Sequence, residues 1–315
     1  MTTTVVIRCL NEEEHIGRLL TGLSRQAVPP DQVVVVDSGS TDATLDIARR
    51  FDAEVHHIAP ESFSFGRALN VGCRAATGDV LLFVSAHVYP VHTSWLQDMV
   101  APFVDPAVAL SYGRQIGNEQ TRFSEHRILD RWFPPRSDPA QRHPFCNNAN
   151  AAVRRSLWES WPYDEELTGL EDLAWAKNAI EHGHKVAYIA SAPVVHAHRE
   201  TFLQVANRYR REAIAHKAIY EDQEMPAGEA AWLALLNAGS DLAHATRERR
   251  LREAGDILSF RTAQFLGTYQ GFQQAGPVRA DLKRRFYYPA AVRPGARDLG
   301  TDRVIDYGAT PEEGA

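Results

Sequence analysis

The amino-acid sequence predicts an α/β fold with a mostly parallel sheet, helices on both faces and a C-terminal helical extension. Apolar runs rich in β-branched residues alternate with helical patterns over residues 4–84, and strands joined through helices in this order lie parallel in one sheet. The patterns in residues 201–274 are helical. We therefore expect a sheet domain at 1–200, a helical region at 201–290 and a tail rich in Gly, Pro and Asp at 291–315.

The first strand and the first helix are predicted within residues 4–23. The run "TVVIRC" (4–9) is typical of a strand that is buried on both faces. Asn11 and Glu14 have the spacing of a helix N-cap and its N3 partner, which predicts that the helix starts directly after Asn11. Four apolar residues at spacings of three and four would share its buried face: Ile16, Leu19, Leu20 and Leu23.

Three strands and two helices complete the alternating part of the chain. The strands are expected at 32–37, 53–58 and 79–84, and the helices at 43–51 and 66–76. This order is the basis for the parallel sheet.

The regular alternation stops after residue 90. Residues 117–144 are polar and lack periodicity, which is typical of a substrate-binding loop. On either side of them the patterns predict helices at 93–103, 147–160 and 171–183 and strands at 108–116, 184–190 and 192–198. Three further helices are expected at 201–220, 229–252 and 256–274.

Composition excludes several classes of protein. The formal net charge of -6 gives no support to nucleic-acid binding. The three cysteines have neither metal-site nor disulfide spacing, which indicates a reducing compartment. No signal peptide is recognisable, and no apolar run approaches the roughly 20 residues that span a bilayer. We expect a cytoplasmic protein, and peripheral contact with the inner face of the membrane remains open.

Polar residues follow the predicted strands at their carboxyl ends, where open α/β sheets bind ligands. Asn11 and Glu12 follow the first strand, residues 37–40 the second, and residues 85–87 the fourth. The glycine-rich signatures of a dinucleotide site and of a phosphate-binding loop are both missing from the sequence. The acidic residue that ends the second strand is suited to accept hydrogen bonds from a base or a ribose.

A set of segments in a fixed order carries a resemblance to a known family. The segments are "VVIRCLNEEEHIGRLL", "VVVVDSGSTDATLDIA", "GRALNVGCRAATGDVLLFVSAH", "NNANAAVRRSLWE" and "GLEDLAWAKNAIEHG". Together they resemble the family 2 glycosyltransferases, whose Rossmann-like fold is called GT-A, and the rhamnosyltransferase-like branch in particular. The resemblance covers about residues 4 to 200. It implies inverting transfer of a sugar from a nucleotide-diphosphate sugar to a hydroxyl of a saccharide, glycolipid or other acceptor, in cell-surface polysaccharide or glycolipid synthesis.

The same resemblance implies which residues bind the donor. Asp37 would contact the nucleotide base, with Asn11, Glu12 and Ser38 in the same pocket, and Asn11 has helix capping as its alternative role. Arg67 would face the diphosphate or lie solvated on its helix.

Further along the chain, Ser85 ends the fourth strand and is expected in the donor site. Of Asn147, Asn148 and Asn150, one would cap the following helix. Asn148 and Asn150 are our candidates for the donor-sugar pocket, because an amide can both donate and accept hydrogen bonds to hydroxyls.

The family's metal motif, Asp-any-Asp, falls on Ser85-Ala86-His87, so both aspartates are replaced. A neutral imidazole binds divalent ions and suits Mn²⁺ better than Mg²⁺. We expect His87 to be a ligand together with His196 or His198, which point to the same side of a strand, and with the donor diphosphate. The alternative is a metal-independent site in which histidines and arginines hold the diphosphate directly.

An acidic pair opens the helix predicted at 171–183. Transfer to a hydroxyl needs a general base within hydrogen-bonding reach, and a helix N-terminus favours an ionised carboxylate. The resemblance implies that Asp172 is the base, and we expect Glu171 to position the acceptor or to back up the base. The alternative is that both acids only complement the helix dipole.

The C-terminal helices add two open questions. Basic residues cluster at 199–217 and at 279–285, and they would face a phosphate-bearing acceptor, an anionic membrane or solvent. The apolar content of residues 229–272 indicates packing on the sheet domain or on a second subunit in a homo-oligomer.

Two other functions compete with sugar transfer. Nucleotidyl transfer to a sugar phosphate would need a glycine-rich phosphate loop, which the N-terminal sequence lacks. A degenerate transferase that acts only as a binding or assembly partner would explain the loss of both metal-motif aspartates.

Overall fold

A computed structural model describes residues 1–197, 200–274 and 305–307. In these residues nine strands form one sheet: β1 (Thr3–Cys9), β2 (Gln32–Asp37), β3 (Glu54–His57), β4 (Val80–Ser85), β5 (Val88–Pro90), β6 (Val108–Ile116), β7 (Asp138–Gln141), β8 (Asn150–Arg154) and β9 (Lys185–His196). The same residues form ten α-helices: α1 (Ile16–Ser24), α2 (Thr44–Arg50), α3 (Phe65–Ala75), α4 (Trp95–Val100), α5 (Phe123–Trp132), α6 (Arg155–Ser160), α7 (Glu171–Glu181), α8 (Phe202–Ile219), α9 (Ala227–Arg247) and α10 (Ala254–Phe272).

The sheet is mostly parallel and has the order β3-β2-β1-β4-β8-β6-β9-β5, with β7 paired to β9. Strands β1 to β4 are parallel to one another, and so are β6 and β9. Strand β8 runs antiparallel between β4 and β6, and β5 and β7 run antiparallel to β9. The predicted α/β class, the parallel first half and the C-terminal helical region are confirmed.

Helices cover both faces of the sheet because the central strands are apolar on both sides. On one face Val5, Ile7 and Leu82 pack against α1 and α4. On the other face Val6 and Phe83 pack against α3 and α7. Successive side chains of a strand point to opposite faces, so the unbroken apolar runs of β1 and β4 supply both cores.

The predicted start of the first helix is wrong. Helix α1 begins at Ile16, and its N-cap residue His15 makes no capping hydrogen bond with its side chain. Asn11 instead has a left-handed backbone (φ 53°), and its Oδ1 accepts a hydrogen bond from the Thr41 N–H (2.8 Å). The carbonyl of Glu12 accepts the first helical N–H, from Ile16. Contact with the loop after β2 therefore outweighs local capping.

The segment 147–160 is only half helical, contrary to prediction. Residues 150–154 form β8 in the middle of the sheet, and α6 starts at Arg155. None of the three asparagines caps that helix, whose N-cap is Arg154. Pairing with β4 and β6 on both sides decides the conformation of "NAAVR", since propensity is a weak signal beside tertiary context.

Two other boundaries also differ from prediction. The stretch 117–144 is not a plain loop, because it contains α5 and β7. The two short strands predicted near the end of the sheet domain form one long strand, β9.

The C-terminal helices pack side by side along the sheet domain. Helix α10 lies against α8 and α9 and also contacts α5. In the described part of the chain, no helix has the length and apolar character needed to cross a bilayer. The basic segment 279–285 and the tail fall outside the described residues except for Ile305–Tyr307, which pack on the sheet domain.

Candidate active site

A cleft of 1390 Å³ opens at the carboxyl ends of the parallel strands, beside the C-terminal helices. The strand residues that line it lie at or near the ends of β1, β4, β6 and β9: Arg8, Ser85, Gln115 and His196. Glu171 and Asp172 line the same cleft at the start of α7, and α8 and α10 contribute its other wall. This is the location that open α/β sheets use for ligands.

The acidic pair is held by specific contacts. Asp172 is 7% exposed, and its Oδ2 accepts a hydrogen bond from the Asn148 N–H (2.8 Å) while Oδ1 accepts one from the Leu173 N–H (2.8 Å). Glu171 is also buried, and its Oε1 lies 3.1 Å from Nη1 of Arg8. These contacts fix the orientation of both carboxyl groups at the helix N-terminus.

The surroundings of Asp172 favour its neutral form. Burial first, and then the negative charge of Glu171, raise the pKa of Asp172 to about 7. The two backbone N–H groups and the Arg8 guanidinium act in the opposite direction. A carboxyl group with a pKa near neutrality is suited to take a proton from a hydroxyl and to release it again.

The structure brings His87 and His196 together. Their rings stack with centroids 5.1 Å apart and an interplanar angle of 21°. Nδ1 of His87 lies 2.8 Å from Oε1 of Glu12, and Nδ1 of His196 lies 2.7 Å from Oε1 of Gln115. The pairing of β5 with β9, which places Val88 opposite His196, is what aligns the two rings. His198, the alternative ligand, lies outside the described residues.

The residues around His87 offer a partial set of metal ligands. Two imidazoles and the Glu12 carboxylate are a nitrogen and oxygen donor set that suits a divalent transition metal. Among the described residues, however, no three His, Cys, Asp or Glu groups are arranged so that they could hold an ion. A metal bound here would therefore take further ligands from the substrate, as a diphosphate can provide.

The predicted nucleotide-binding residues join two loops beside the cleft and do not line it. The carboxylate of Asp37, 1% exposed, accepts hydrogen bonds from the N–H groups of Gly39 (3.1 Å) and Ser40 (3.1 Å). The Asn11 N–H donates to the Ser40 hydroxyl (2.9 Å), and Ser38 Oγ donates to the Cys9 carbonyl (3.2 Å). These bonds shape the loops that follow β1 and β2.

The other predicted donor-binding residues have different environments. Ser85 lines the cleft at the end of β4. Arg67 is half exposed, lies outside the cleft lining and has its Nε 3.4 Å from Oε2 of Glu165.

The two asparagines predicted for the donor-sugar pocket also differ. Asn150 is fully buried, accepts a hydrogen bond from Trp95 Nε1 (2.9 Å) and donates to the carbonyls of Arg114 and Ala192, so its amide is engaged inside the sheet. Asn148 lines the cleft, is 2% exposed, and its side-chain amide makes no hydrogen bond within the described residues.

Two further arginines line the cleft: Arg8, which was not predicted as a site residue, and Arg211, which belongs to the basic cluster predicted at 199–217. The guanidinium of Arg8 lies 4.9 Å from the centroid of the Phe65 ring, and that of Arg211 lies 4.6 Å from it. A single cation inside the apolar run of β1 was a signal for Arg8, since buried charges are paired or functional. Arg208, from the predicted basic cluster, is paired with Glu200 (2.7 Å) and Glu125 (3.0 Å).

Comparison with known proteins identifies the family. The model of the family "Glycosyl transferase family 2" matches residues 4–161, just over half of the chain. The chain belongs to this family. It is therefore a glycosyltransferase, and inversion at the anomeric carbon is general for family 2.

Two curated relatives of this family 2 glycosyltransferase are O-antigen chain rhamnosyltransferases. RfbN of Salmonella typhimurium is 27% identical over 232 residues, which cover 69% of this chain and 73% of RfbN. WbaN of Salmonella anatum is 29% identical over 211 residues, which cover 61% of this chain and 64% of WbaN, slightly less than two thirds of the relative's length.

Solved structures share the fold of this glycosyltransferase. The mannosyltransferase PcManGT from Pyrobaculum calidifontis, solved in complex with GDP-Man and Mn²⁺, has a TM-score of 0.58 at 22% identity, over 91% of this chain and 87% of its own. S. aureus TarS 1-349 in complex with UDP has a TM-score of 0.51 at 20% identity, over 84% and 90% of the two chains.

Proposed function

We propose that this family 2 glycosyltransferase transfers a sugar from a nucleotide-diphosphate donor to a hydroxyl of a saccharide chain or glycolipid in cell-surface polysaccharide synthesis. The observation that carries the proposal is the buried Asp172, whose pKa is raised to about 7 and whose carboxylate is held at the cleft by backbone N–H groups. The relatives RfbN and WbaN, both O-antigen chain rhamnosyltransferases, support the class of acceptor.

Asp172 acts as the general base in the proposed reaction. It removes the proton from the acceptor hydroxyl, and the hydroxyl oxygen forms a bond to the anomeric carbon of the donor sugar. The bond from that carbon to the diphosphate oxygen breaks, and the nucleoside diphosphate leaves with the electron pair. Attack and departure occur on opposite sides, so the configuration inverts. Glu171, held by Arg8, positions the acceptor beside the base.

The donor lies along the carboxyl ends of the strands in this proposal. The nucleotide binds at the loops after β1 and β2, where Asn11, Glu12, Asp37 and Ser38 set the loop shape. The diphosphate lies near Ser85 at the end of β4. The side-chain amide of Asn148, which makes no hydrogen bond within residues 1–197, 200–274 and 305–307, is available to the donor sugar, whereas Asn150 and Arg67 have other partners.

A divalent cation at His87 and His196 is part of the proposal. Such an ion would neutralise charge on the departing diphosphate, and the fold neighbour PcManGT was solved with Mn²⁺. Imidazole ligands favour Mn²⁺ over Mg²⁺, which prefers oxygen. His198 stays a candidate third ligand from the sequence alone.

Two expectations about partners stay predictions. Helix α9 exposes Trp232, Leu235 and Leu236, which are 60%, 69% and 48% exposed and would suit a second subunit or a membrane surface. Sedimentation of the purified protein and its binding to anionic vesicles would separate these two partners.

A donor screen tests the proposed function. We expect one nucleotide sugar of a panel to raise the melting temperature, and the wild-type protein to release its nucleoside diphosphate in the presence of an acceptor. Asp172→Asn should lower turnover by about 10²- to 10⁴-fold, the usual contribution of a general base, while it keeps the donor-induced shift. The exposed Asp222→Asn is the matched control. Full turnover by Asp172→Asn would contradict the mechanism.

A further inference from the structure

We propose that Trp132 and Phe145 form a stacking platform for a sugar ring of the acceptor, in the same cleft as Asp172. This inference rests on the proposed function, because it names the subsite at which the acceptor saccharide binds. Both rings line the cleft that contains the acidic pair.

The platform is exposed on one side and anchored on the other. Trp132 is the last residue of α5 and is 49% exposed. Its ring stacks on Phe145, with centroids 4.6 Å apart and an interplanar angle of 29°. Phe145 in turn packs edge-on against Tyr112 of β6 (5.8 Å, 82°) and contacts Phe133 (5.7 Å). An exposed indole with a fixed support behind it is preorganised for a flat ligand.

The chemistry of this surface matches a saccharide. The face of an aromatic ring carries partial negative charge, and the C–H groups on one face of a pyranose are apolar and partially positive. Exposed polar side chains lie around the rings, since Arg131 and His143 line the same cleft. They can hydrogen-bond the equatorial hydroxyls of a sugar whose face lies on Trp132.

The chain connects the platform directly to the base. Phe145 precedes Asn148 by three residues, and the Asn148 N–H donates to the Asp172 carboxylate (2.8 Å). Three residues span at most about 10 Å. A sugar on the platform is therefore close enough for the next ring of the same acceptor to present its hydroxyl to Asp172.

The platform lies away from the loop after β2, where the nucleotide of the donor is proposed to bind. The Asp37 loop follows β2, whereas Phe145 lies just before β8, three strands further across the sheet. At about 4.8 Å per strand, β2 and β8 are roughly 14 Å apart in the plane of the sheet. We therefore assign the platform to the acceptor and not to the base of the donor.

A matched control is available in the same chain. Trp232 on α9 is 60% exposed and lies outside the cleft lining. Trp232→Ala removes one exposed tryptophan, as Trp132→Ala does, but it leaves the platform intact.

Saturation-transfer NMR with the methyl glycosides of rhamnose, mannose, galactose and glucose tests the proposal. We expect at least one glycoside to receive magnetisation from the wild-type protein and from Trp232→Ala, and the signal to fall at least about fivefold in Trp132→Ala, which loses most of the stacking surface. Trp132→Phe should restore part of it. The donor-induced thermal shift, measured on the same samples, should be the same for all four proteins.

Two results of the glycoside experiment would overturn the platform. One is that no glycoside binds the wild-type protein, and the other is that Trp132→Ala keeps the wild-type signal. A loss of the donor-induced shift in Trp132→Ala alone would also overturn it, because the ring would then belong to the donor site. Failure of the proposed function is a different result, since the wild-type protein would then be stabilised by none of the nucleotide sugars.

Discussion

At the residue scale, the chemistry of the cleft depends on three side chains, those of Asp172, Glu171 and Arg8. Asp172 is buried beside Glu171, and Arg8 forms the ion pair that balances the second acid. The negative neighbour raises the pKa of Asp172 and the positive one lowers it. Removing the negative charge of Glu171 should therefore lower the pKa of Asp172, and removing the positive charge of Arg8 should raise it.

The pH dependence of turnover checks this arrangement. A general base must be ionised, so we expect kcat/KM to rise with pH through about 7, the pKa of Asp172, and to level off above it. Glu171→Gln removes a negative charge and should shift the rising limb to lower pH. Arg8→Met removes a positive charge and should shift it to higher pH, in profiles measured from about pH 5 to 9.

The control for these profiles lies on the same helix. Glu181 is 57% exposed at the end of α7 and pairs with Lys177, so Glu181→Gln should leave the limb unchanged. If Glu171→Gln and Arg8→Met shift the limb in the same direction, Asp172 is not the group that titrates.

The proposed cation makes a second prediction at this scale. A ligand that binds only the folded protein stabilises it, and the stabilisation grows with the ratio of the ligand's concentration to its dissociation constant. We expect Mn²⁺ to increase the thermal shift given by the donor, and His87→Ala and His196→Ala each to remove that increase. The exposed His182→Ala should keep it. A donor shift that is equal with and without Mn²⁺ in the wild-type protein would support the metal-independent site.

At the scale of elements, a close contact joins α8 to α10. A methyl group at Gly267 would overlap the backbone carbonyl of Ala206, and one at Gly271 would lie 2.5 Å from the carbonyl oxygen of Arg210. Backbones that approach so closely need glycine. The wall that α8 and α10 contribute to the cleft depends on this contact.

Two alanine substitutions test this contact, and we expect them to change the free energy of unfolding in opposite directions. Gly267→Ala should lower the free energy of unfolding by about 1–3 kcal/mol, because the two helices must move apart. Gly239, exposed in the middle of α9, has open space around it, so Gly239→Ala should raise the free energy of unfolding by about 0.5–1 kcal/mol. Urea denaturation of the three proteins measures both, and a neutral Gly267→Ala would show that the helices separate at no cost.

The elements that sequence reasoning found are those with strong periodicity. Strands β1 and β2 and the buried face of α1 follow directly from apolar runs and from spacings of three and four. The sequence predicts a helix over 147–160 because "NAAVR" has no strong pattern, and only pairing with β4 and β6 determines strand β8. Helix α1 starts late because Asn11 bonds to the loop after β2, a contact 30 residues away.

The site was predictable to a similar degree. Asp172, Ser85 and His87 follow from motifs, and the structure places all three in one cleft. The ion pair of Arg8 with Glu171 and the stacking of Trp132 on Phe145 are tertiary contacts. No pattern of residue spacing in the sequence predicts them.

At the scale of the whole molecule, residues Ile305–Tyr307 pack on the sheet domain. Ile305 is 4% exposed, and its N–H donates to the carbonyl of Val91 (3.1 Å). The Tyr307 hydroxyl donates to the carbonyl of Pro90 (2.7 Å), and its ring packs edge-on against Tyr89. These contacts cover β5, the strand that follows His87 and pairs with the end of β9.

Two truncations test whether these contacts stabilise the sheet domain. Ending the chain after Val304 removes the buried Ile305 and the Tyr307 hydrogen bond, and we expect the free energy of unfolding to fall by about 2–5 kcal/mol, as for the loss of a large buried side chain. Ending it after Tyr307 keeps both contacts and is the reference for this comparison. If the two truncations unfold at the same urea concentration, β5 is stable without the end of the chain. A difference would mean that the strand beside His87 depends on a segment more than two hundred residues away.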